Sequence, residues 1–163
     1  MRILMVGGGC RGLDLTRDLA AEGHAVRVVT RAEGRRAEIE AAGGQPWIGD
    51  PDRIGTLRYA LDNVTLLLWL LGTASGPDDK VAALHGSRLN MMLERTTDST
   101  VRGVVYEAAG TLPPAVFDGG LAEMRHANLT NEIPYAVLTA DPADRDAWLV
   151  AAHTAIEGLL APR

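Results

Sequence analysis

The chain has 163 residues, 47% hydrophobic and 23% charged, with a net charge of −5. That is enough for one domain with a real core, and an acidic balance without a basic cluster argues against nucleic acid as the main partner. One cysteine excludes an internal disulfide, and no apolar run is long enough for a signal peptide or a bilayer span, so a cytoplasmic protein without membrane contact is expected.

A short apolar strand at 3–6 runs straight into Gly7-Gly8-Gly9-Cys10-Arg11-Gly12. A helix follows, with Gly12, Leu15, Thr16, Leu19 and Ala20 on one face and Gly23 as its cap. The second strand is expected at 25–30, a polar helix at 33–42, and a short third strand at 45–48 before Gly49-Asp50-Pro51. Ile54, Leu57 and Leu61 have the spacing of a third helix, and the apolar run 64–71 reads as a buried central strand. Pro77-Asp78-Asp79 opens a fourth helix whose stripe carries Val81, Leu84 and Met92. A fifth strand at 102–107 leads through a proline- and glycine-rich connection to a fifth helix near 121–128. The sixth strand is expected at 134–139, and Asp141-Pro142 caps a last helix carrying Trp148, Ala152, Ala155 and Leu159.

Strands alternating with helices predict an α/β fold. It is a three-layer, doubly wound parallel sheet of Rossmann type, strand order 3-2-1-4-5-6, in a single domain. The pattern fills 1–163 and leaves no separate substrate domain.

Strand, G-x-G-x-x-G, helix, strand is the order of a dinucleotide-binding unit. Gly7 turns the chain off the strand, Gly9 lets backbone approach a pyrophosphate, and Gly12 lets the helix pack on the sheet. The first-turn amides and the helix dipole then face an anion. Sites for NAD place an acid at the tip of the second strand; here the tip is Thr30-Arg31. A guanidinium there suits the 2′-phosphate of NADP, and Arg11 inside the loop is a second candidate. Glu33 could reach back to a ribose, which keeps NAD as the alternative. Arg35 and Arg36 read as a solvated helix face. Cys10 reads as a small residue beside the phosphates rather than a redox thiolate.

Other tempting residues read as structure. Trp47, Trp69 and Trp148 belong to the core, Tyr106 and Tyr135 to the sheet, and His85 to helix packing or an interface. Asp141 reads as a helix cap. The four histidines are scattered, so no metal site is expected.

The arrangement resembles the NAD(P)-binding core of the short-chain dehydrogenase/reductase superfamily, especially its atypical and extended members, over nearly the whole chain. The likeness includes the glycine loop, Gly49-Asp50, Leu71-Gly72-Thr73-Ala74 and Val104-Val105-Tyr106. It implies that Asp50 contacts the adenine. It also implies a cofactor and substrate pocket along the carboxyl edge of the sheet, from Leu71, Gly72 and Thr73, Ala108 and Ala109, and 139–141. The fourth and fifth helices often build a homodimer interface in this fold.

The chain departs from the family where catalysis is concerned. The family's tyrosine acts as acid/base, with a lysine four residues later lowering its pKa. Here the one lysine is Lys80, Gly76 stands four before it, and Ala108-Ala109 replace an expected hydroxyl. The loop is G-x-G-x-x-G rather than the extended family's G-x-x-G-x-x-G. The missing pair argues against an epimerase or dehydratase. The resemblance then implies an NADPH-dependent reductase passing hydride to a small aromatic, flavin- or quinone-like acceptor, as flavin and biliverdin reductases do. The alternative is a non-catalytic NADP(H)-binding redox sensor or partner-binding protein.

Overall fold

The structure, a computed structural model, describes residues 1–162. In chain order the elements are β1 (Arg2–Gly7), α1 (Gly9–Ala21), β2 (Ala25–Thr30), α2 (Arg36–Ala41), β3 (Gln45–Ile48) and β4 (Leu66–Leu70). Then come α3 (Asp78–Leu84), α4 (Ser87–Thr96), β5 (Gly103–Glu107), α5 (Pro114–Asn131), β6 (Tyr135–Leu138) and α6 (Arg145–Leu160). The six strands form one sheet in the order β3-β2-β1-β4-β5-β6, and every neighbouring pair is parallel. The expected fold is the observed one.

Strand alternation divides the core between the two faces of the sheet. Leu4, Val6, Leu67 and Trp69 pack with Leu89, Met92 and Met124 of α4 and α5. Ile3, Met5, Leu66 and Leu68 pack with Leu15 and Leu19 of α1, Ile39 of α2, and Trp148 and Ile156 of α6. β4, in the middle, is buried along its whole length, as its unbroken apolar sequence requires. Two surface pairs hold α6 against α1: Arg145 Nε donates to Asp14 Oδ2 at 2.6 Å, and His153 Nε2 lies 3.0 Å from Asp18 Oδ2.

The ends of α1 follow from local chemistry. Gly23 N–H bonds the Ala20 carbonyl at 3.0 Å and His24 N–H bonds that of Leu19 at 3.1 Å. This is the paired closure a left-handed residue after a helix produces. At the other end the carbonyl of Gly7 must turn sharply off β1. Gly7 has φ 86°, and a Cβ there would stand 2.2 Å from the Leu70 carbonyl oxygen, so no side chain fits.

Several expected boundaries are corrected. The helix expected around Ile54, Leu57 and Leu61 is two 3-10 turns, Ile54–Leu57 and Tyr59–Leu61. Thr56 competes with helical bonding there: its hydroxyl donates to the Arg53 carbonyl (2.7 Å), with the Asp50 carbonyl at 3.1 Å as the alternative acceptor, and accepts from Asp50 N–H (2.8 Å). The polar second helix likewise starts with a 3-10 turn, Glu33–Arg35. The fourth helix is split into α3 and α4 at His85-Gly86, where Gly86 leaves helical geometry with φ −122° and ψ −106°. The proline- and glycine-rich connection is largely helix, because Pro114 takes the first turn of α5, where its missing N–H costs nothing. The cap of α6 is Asp144, accepting from Ala147 N–H at 3.2 Å, while Asp141 accepts from Ala143 N–H at 2.9 Å in the turn before it. Trp47 is only partly buried, lying under the Arg27 guanidinium at 5.2 Å from its ring centroid.

Candidate functional site

The carboxyl ends of β1 and β4 diverge at the point where the strand order reverses, the usual ligand crevice of such sheets. A cleft of about 490 Å³ opens there, lined by Gly7, Gly8 and Gly9, by Arg31, Arg35 and Asp50, by Leu71 and residues 73–77 after β4, and by Lys80 of α3. Gly8 N–H is taken by the Leu70 carbonyl at 2.8 Å, and the first α1 bond runs from Gly12 N–H to the Gly8 carbonyl at 2.9 Å. The amides of Gly9, Cys10 and Arg11 come before that bond, and α1 has neither a capping side chain nor an acid in its first turn. Such a helix end supplies N–H donors and the positive end of its dipole to an anion. Gly9 stands open, with nothing near the position a Cβ would take.

Arg31 and Arg35 share the outer end of this cleft with Asp50 and Asp52. Glu33 is turned away: its carboxylate accepts from Arg36 Nε at 2.9 Å, and that guanidinium holds its carboxyl below the usual range. Thr30 is buried, its hydroxyl donating to the Ala32 carbonyl at 3.2 Å. Arg88 reaches across from α4 to the Asp52 carbonyl at 2.8 Å and its carboxylate at 3.3 Å, tying down the loop that carries Asp50.

Of the residues expected to meet, Gly7, Gly9, Arg31, Asp50, Leu71 and Thr73 line this one cleft. Gly12 is buried beneath the Gly7 carbonyl, and Cys10 is exposed. Arg11 does not join Arg31. Its guanidinium lies 5.3 Å from the centroid of the Trp148 ring, and its Nη2 donates to Thr73 Oγ1 at 3.3 Å.

Gly72, Ala108 and Ala109 belong to a second arrangement, in which the loops after β4 and β5 lock together. Thr111 N–H bonds the Gly72 carbonyl at 3.1 Å. A Cβ on Gly110, which has φ 151°, would stand 2.0 Å from that carbonyl oxygen. Beside this lock an apolar hollow of about 470 Å³ is walled by Ala108, Leu112, Phe117 and Leu121, with Asp141 at its edge. A wider, polar hollow of about 820 Å³ lies at the opposite edge of the sheet, between residues 58–63 and 94–100, away from the glycine loop.

Two buried polar groups under these loops escape sequence reasoning. Glu107 ends β5 fully buried; Gly72 N–H donates to its Oε1 at 2.8 Å and Trp148 Nε1–H to its Oε2 at 2.7 Å. Burial pushes its carboxyl above the usual range, against those bonds and the nearby Arg11 charge. On the other face His85 is pinned between Tyr106 Oη at 2.6 Å and the Leu71 carbonyl at 3.0 Å. The only signal for Glu107 is a lone acid closing an apolar strand; for His85 it is the glycine that follows it.

No family model and no curated protein matches the sequence. Solved structures do match its shape. A short-chain dehydrogenase/reductase superfamily protein from Agrobacterium tumefaciens with bound NAD superposes with TM-score 0.69 at 17% identity, over 84% of this chain and 48% of that one. A UDP-glucose 4-epimerase from Thermotoga maritima gives TM-score 0.69 at 12% identity, over 84% and 54%. A triphenylmethane reductase from Citrobacter sp. complexed with NADP(H) gives 0.63 at 20%, over 85% and 48%. The chain shares the Rossmann-type fold of these proteins. It spans about half the length of these structures. Within that fold its three tyrosines stand away from the hollows: Tyr59 is exposed on a 3-10 turn, Tyr106 is buried against His85, and Tyr135 starts β6 at the far end of the strand. Lys80 faces the outer cleft, 4.0 Å from Asp52 Oδ2.

Proposed function

We propose that this chain binds NAD(P)(H) through the glycine loop, with NADP preferred, and serves as the cofactor-binding unit of a reductase. The observation that carries the reading is the cleft at the β1–β4 divergence, which combines an uncapped helix N-terminus with Arg31 and Arg35. The residues fit the group: backbone donors for a pyrophosphate sit at Gly9, Cys10 and Arg11, and the loop glycines leave the space that side chains would fill. Arg31 takes the place where an NAD site holds an acid, and the pairing of Glu33 with Arg36 removes the nearest carboxylate that could replace it. Asp50, held by the Arg88–Asp52 contact, faces the adenosine end.

When bound, the dinucleotide supplies a hydride; the chain supplies orientation and exclusion of water. The tyrosine and lysine positions leave no phenol–ammonium pair of this chain beside the hollows, so the reading favours a flavin- or quinone-like acceptor whose reduction needs no obligatory protein proton donor. The apolar hollow walled by Leu112, Phe117 and Leu121 suits such a flat molecule. An exposed Cys10 fits a reducing, cytoplasmic setting. The same tyrosine and lysine positions favour one other reading, a non-catalytic sensor of NADP(H) redox state.

Calorimetric titration with NADPH, NADP⁺, NADH and NAD⁺, followed by NADPH oxidation assays with flavins and quinones, tests this. Tight NADPH binding with turnover supports the reductase. Binding without turnover, with unequal affinity for the two redox forms, supports the sensor. No dinucleotide binding overturns both.

A further inference from the structure

The wall between the cleft and the apolar hollow holds a charge that a dinucleotide on the glycine loop leaves unused. Arg11 stacks by Trp148 and gives one hydrogen bond, Nη2 to Thr73 Oγ1, out of the five N–H donors of a guanidinium. Its nearest carboxylate oxygen, Glu107 Oε2, is 4.0 Å away, beyond hydrogen-bond reach. Glu107 is in any case engaged at both oxygens by Gly72 and Trp148. Arg11 Nε is sealed in without a partner among the described residues, and no described residue accepts from Nη1 either.

This guanidinium lines a small hollow of about 230 Å³ together with Thr73, Thr111 and Asp141. Gly110 and Asp141 also line the apolar hollow, so the two cavities adjoin. The guanidinium lies over the Trp148 indole with Nη1 unpaired among the described residues and Nη2 holding only Thr73, and a guanidinium recognises a planar carboxylate with paired hydrogen bonds. A phosphoryl group would bring up to two negative charges beside Glu107 and Asp141; a carboxylate brings one. Burial of Glu107 lessens the charge that competes for Arg11.

We infer that the adjoining hollows bind a flat aromatic molecule bearing a carboxylate, with the carboxylate on Arg11 and the ring against Phe117 and Leu121. That this molecule is the hydride acceptor rests on the function proposed above; the binding site itself does not.

The test uses ¹H–¹⁵N spectra of the full chain, titrated with 2-naphthoate and with neutral 2-naphthamide, alone and with saturating NADPH. The Trp148 indole N–H, assigned with Trp148→Phe, reports from beneath the Arg11 guanidinium. The account expects a saturable shift with 2-naphthoate, roughly tenfold weaker binding of 2-naphthamide, and loss of the shift in Arg11→Met. Arg11→Lys, which keeps the charge without the fork, should bind several-fold more weakly while staying folded. The inference is overturned if 2-naphthamide binds equally or if Arg11→Met still responds. An equal shift with inorganic phosphate, or displacement of 2-naphthoate by NADPH, also overturns it, because Arg11 would then belong to the dinucleotide. The Gly9 amide reads NADPH binding in the same spectra, so the two readings can fail separately.

Discussion

Tyr106 Oη and His85 Nδ1 stand 2.6 Å apart in the core, and the Leu71 carbonyl lies 3.0 Å from the other ring nitrogen. A carbonyl only accepts, so Nε2 carries the proton and Nδ1 accepts from the phenol. The pair is neutral. Burial lowers the His85 pKa and raises that of Tyr106, both in favour of this state. Through Leu71 it fixes the floor of the cleft, and it needs Gly120, where a Cβ would stand 1.8 Å from Tyr106 Oη.

Because the folded His85 pKa lies below its unfolded value near 6.5, the unfolded chain takes up more protons between the two. The stability His85 contributes is complete above about pH 6.5 and is lost as pH falls through the folded value. Urea unfolding of wild type and His85→Gln should therefore show a difference between them that narrows on acidification from pH 7.5 to 5. A constant difference would contradict the neutral assignment. Tyr106→Phe, which leaves Nδ1 buried without a donor, should cost about 1–3 kcal/mol at neutral pH.

Glu107 carries the opposite sign. Its folded pKa is raised, so whatever stability follows from its protonation is present below the unfolded carboxyl value and fades as pH rises through the folded one. Glu107→Gln keeps the volume but has a single acceptor for two donors, Gly72 N–H and Trp148 Nε1–H. It should destabilise by about 1–3 kcal/mol in urea, with a shifted Trp148 indole resonance. A variant as stable as wild type would mean the two bonds contribute nothing net.

Gly72 and Gly110 lock the loops after β4 and β5. Gly110→Val places a branched side chain where a Cβ already meets the Gly72 carbonyl, in a backbone region such residues avoid. We expect a fall in melting temperature and exchange of the Thr111 amide, whose bond to Gly72 is lost. Protection of that amide equal to wild type would contradict the lock.

How much of this could be read from residues alone follows from the range of each interaction. The six strands and their order follow from apolar periodicity and the glycine loop, which are local signals. The 3-10 turns around Thr56 depend on a hydroxyl reaching back to Asp50, and the burial of the His85 side chain on a tyrosine 21 residues later. The first contact is local but competes with helical spacing that the apolar pattern alone suggests, and the second lies outside a local window. At the site, Arg31 was legible because its place after β2 is fixed by chain order. Arg11 was not: its direction is set by Trp148 and Thr73, which lie 137 and 62 residues further along.

The central claim is that Arg31 reads the 2′-phosphate at the outer end of a dinucleotide cleft. Calorimetric titration of wild type and Arg31→Asp with NADPH and NADH tests it most directly. The account predicts that NADPH binds wild type more tightly than NADH, and that Arg31→Asp weakens NADPH by at least roughly tenfold while NADH is held or improved. Equal loss of both ligands, or NADPH binding indifferent to Arg31, would contradict it.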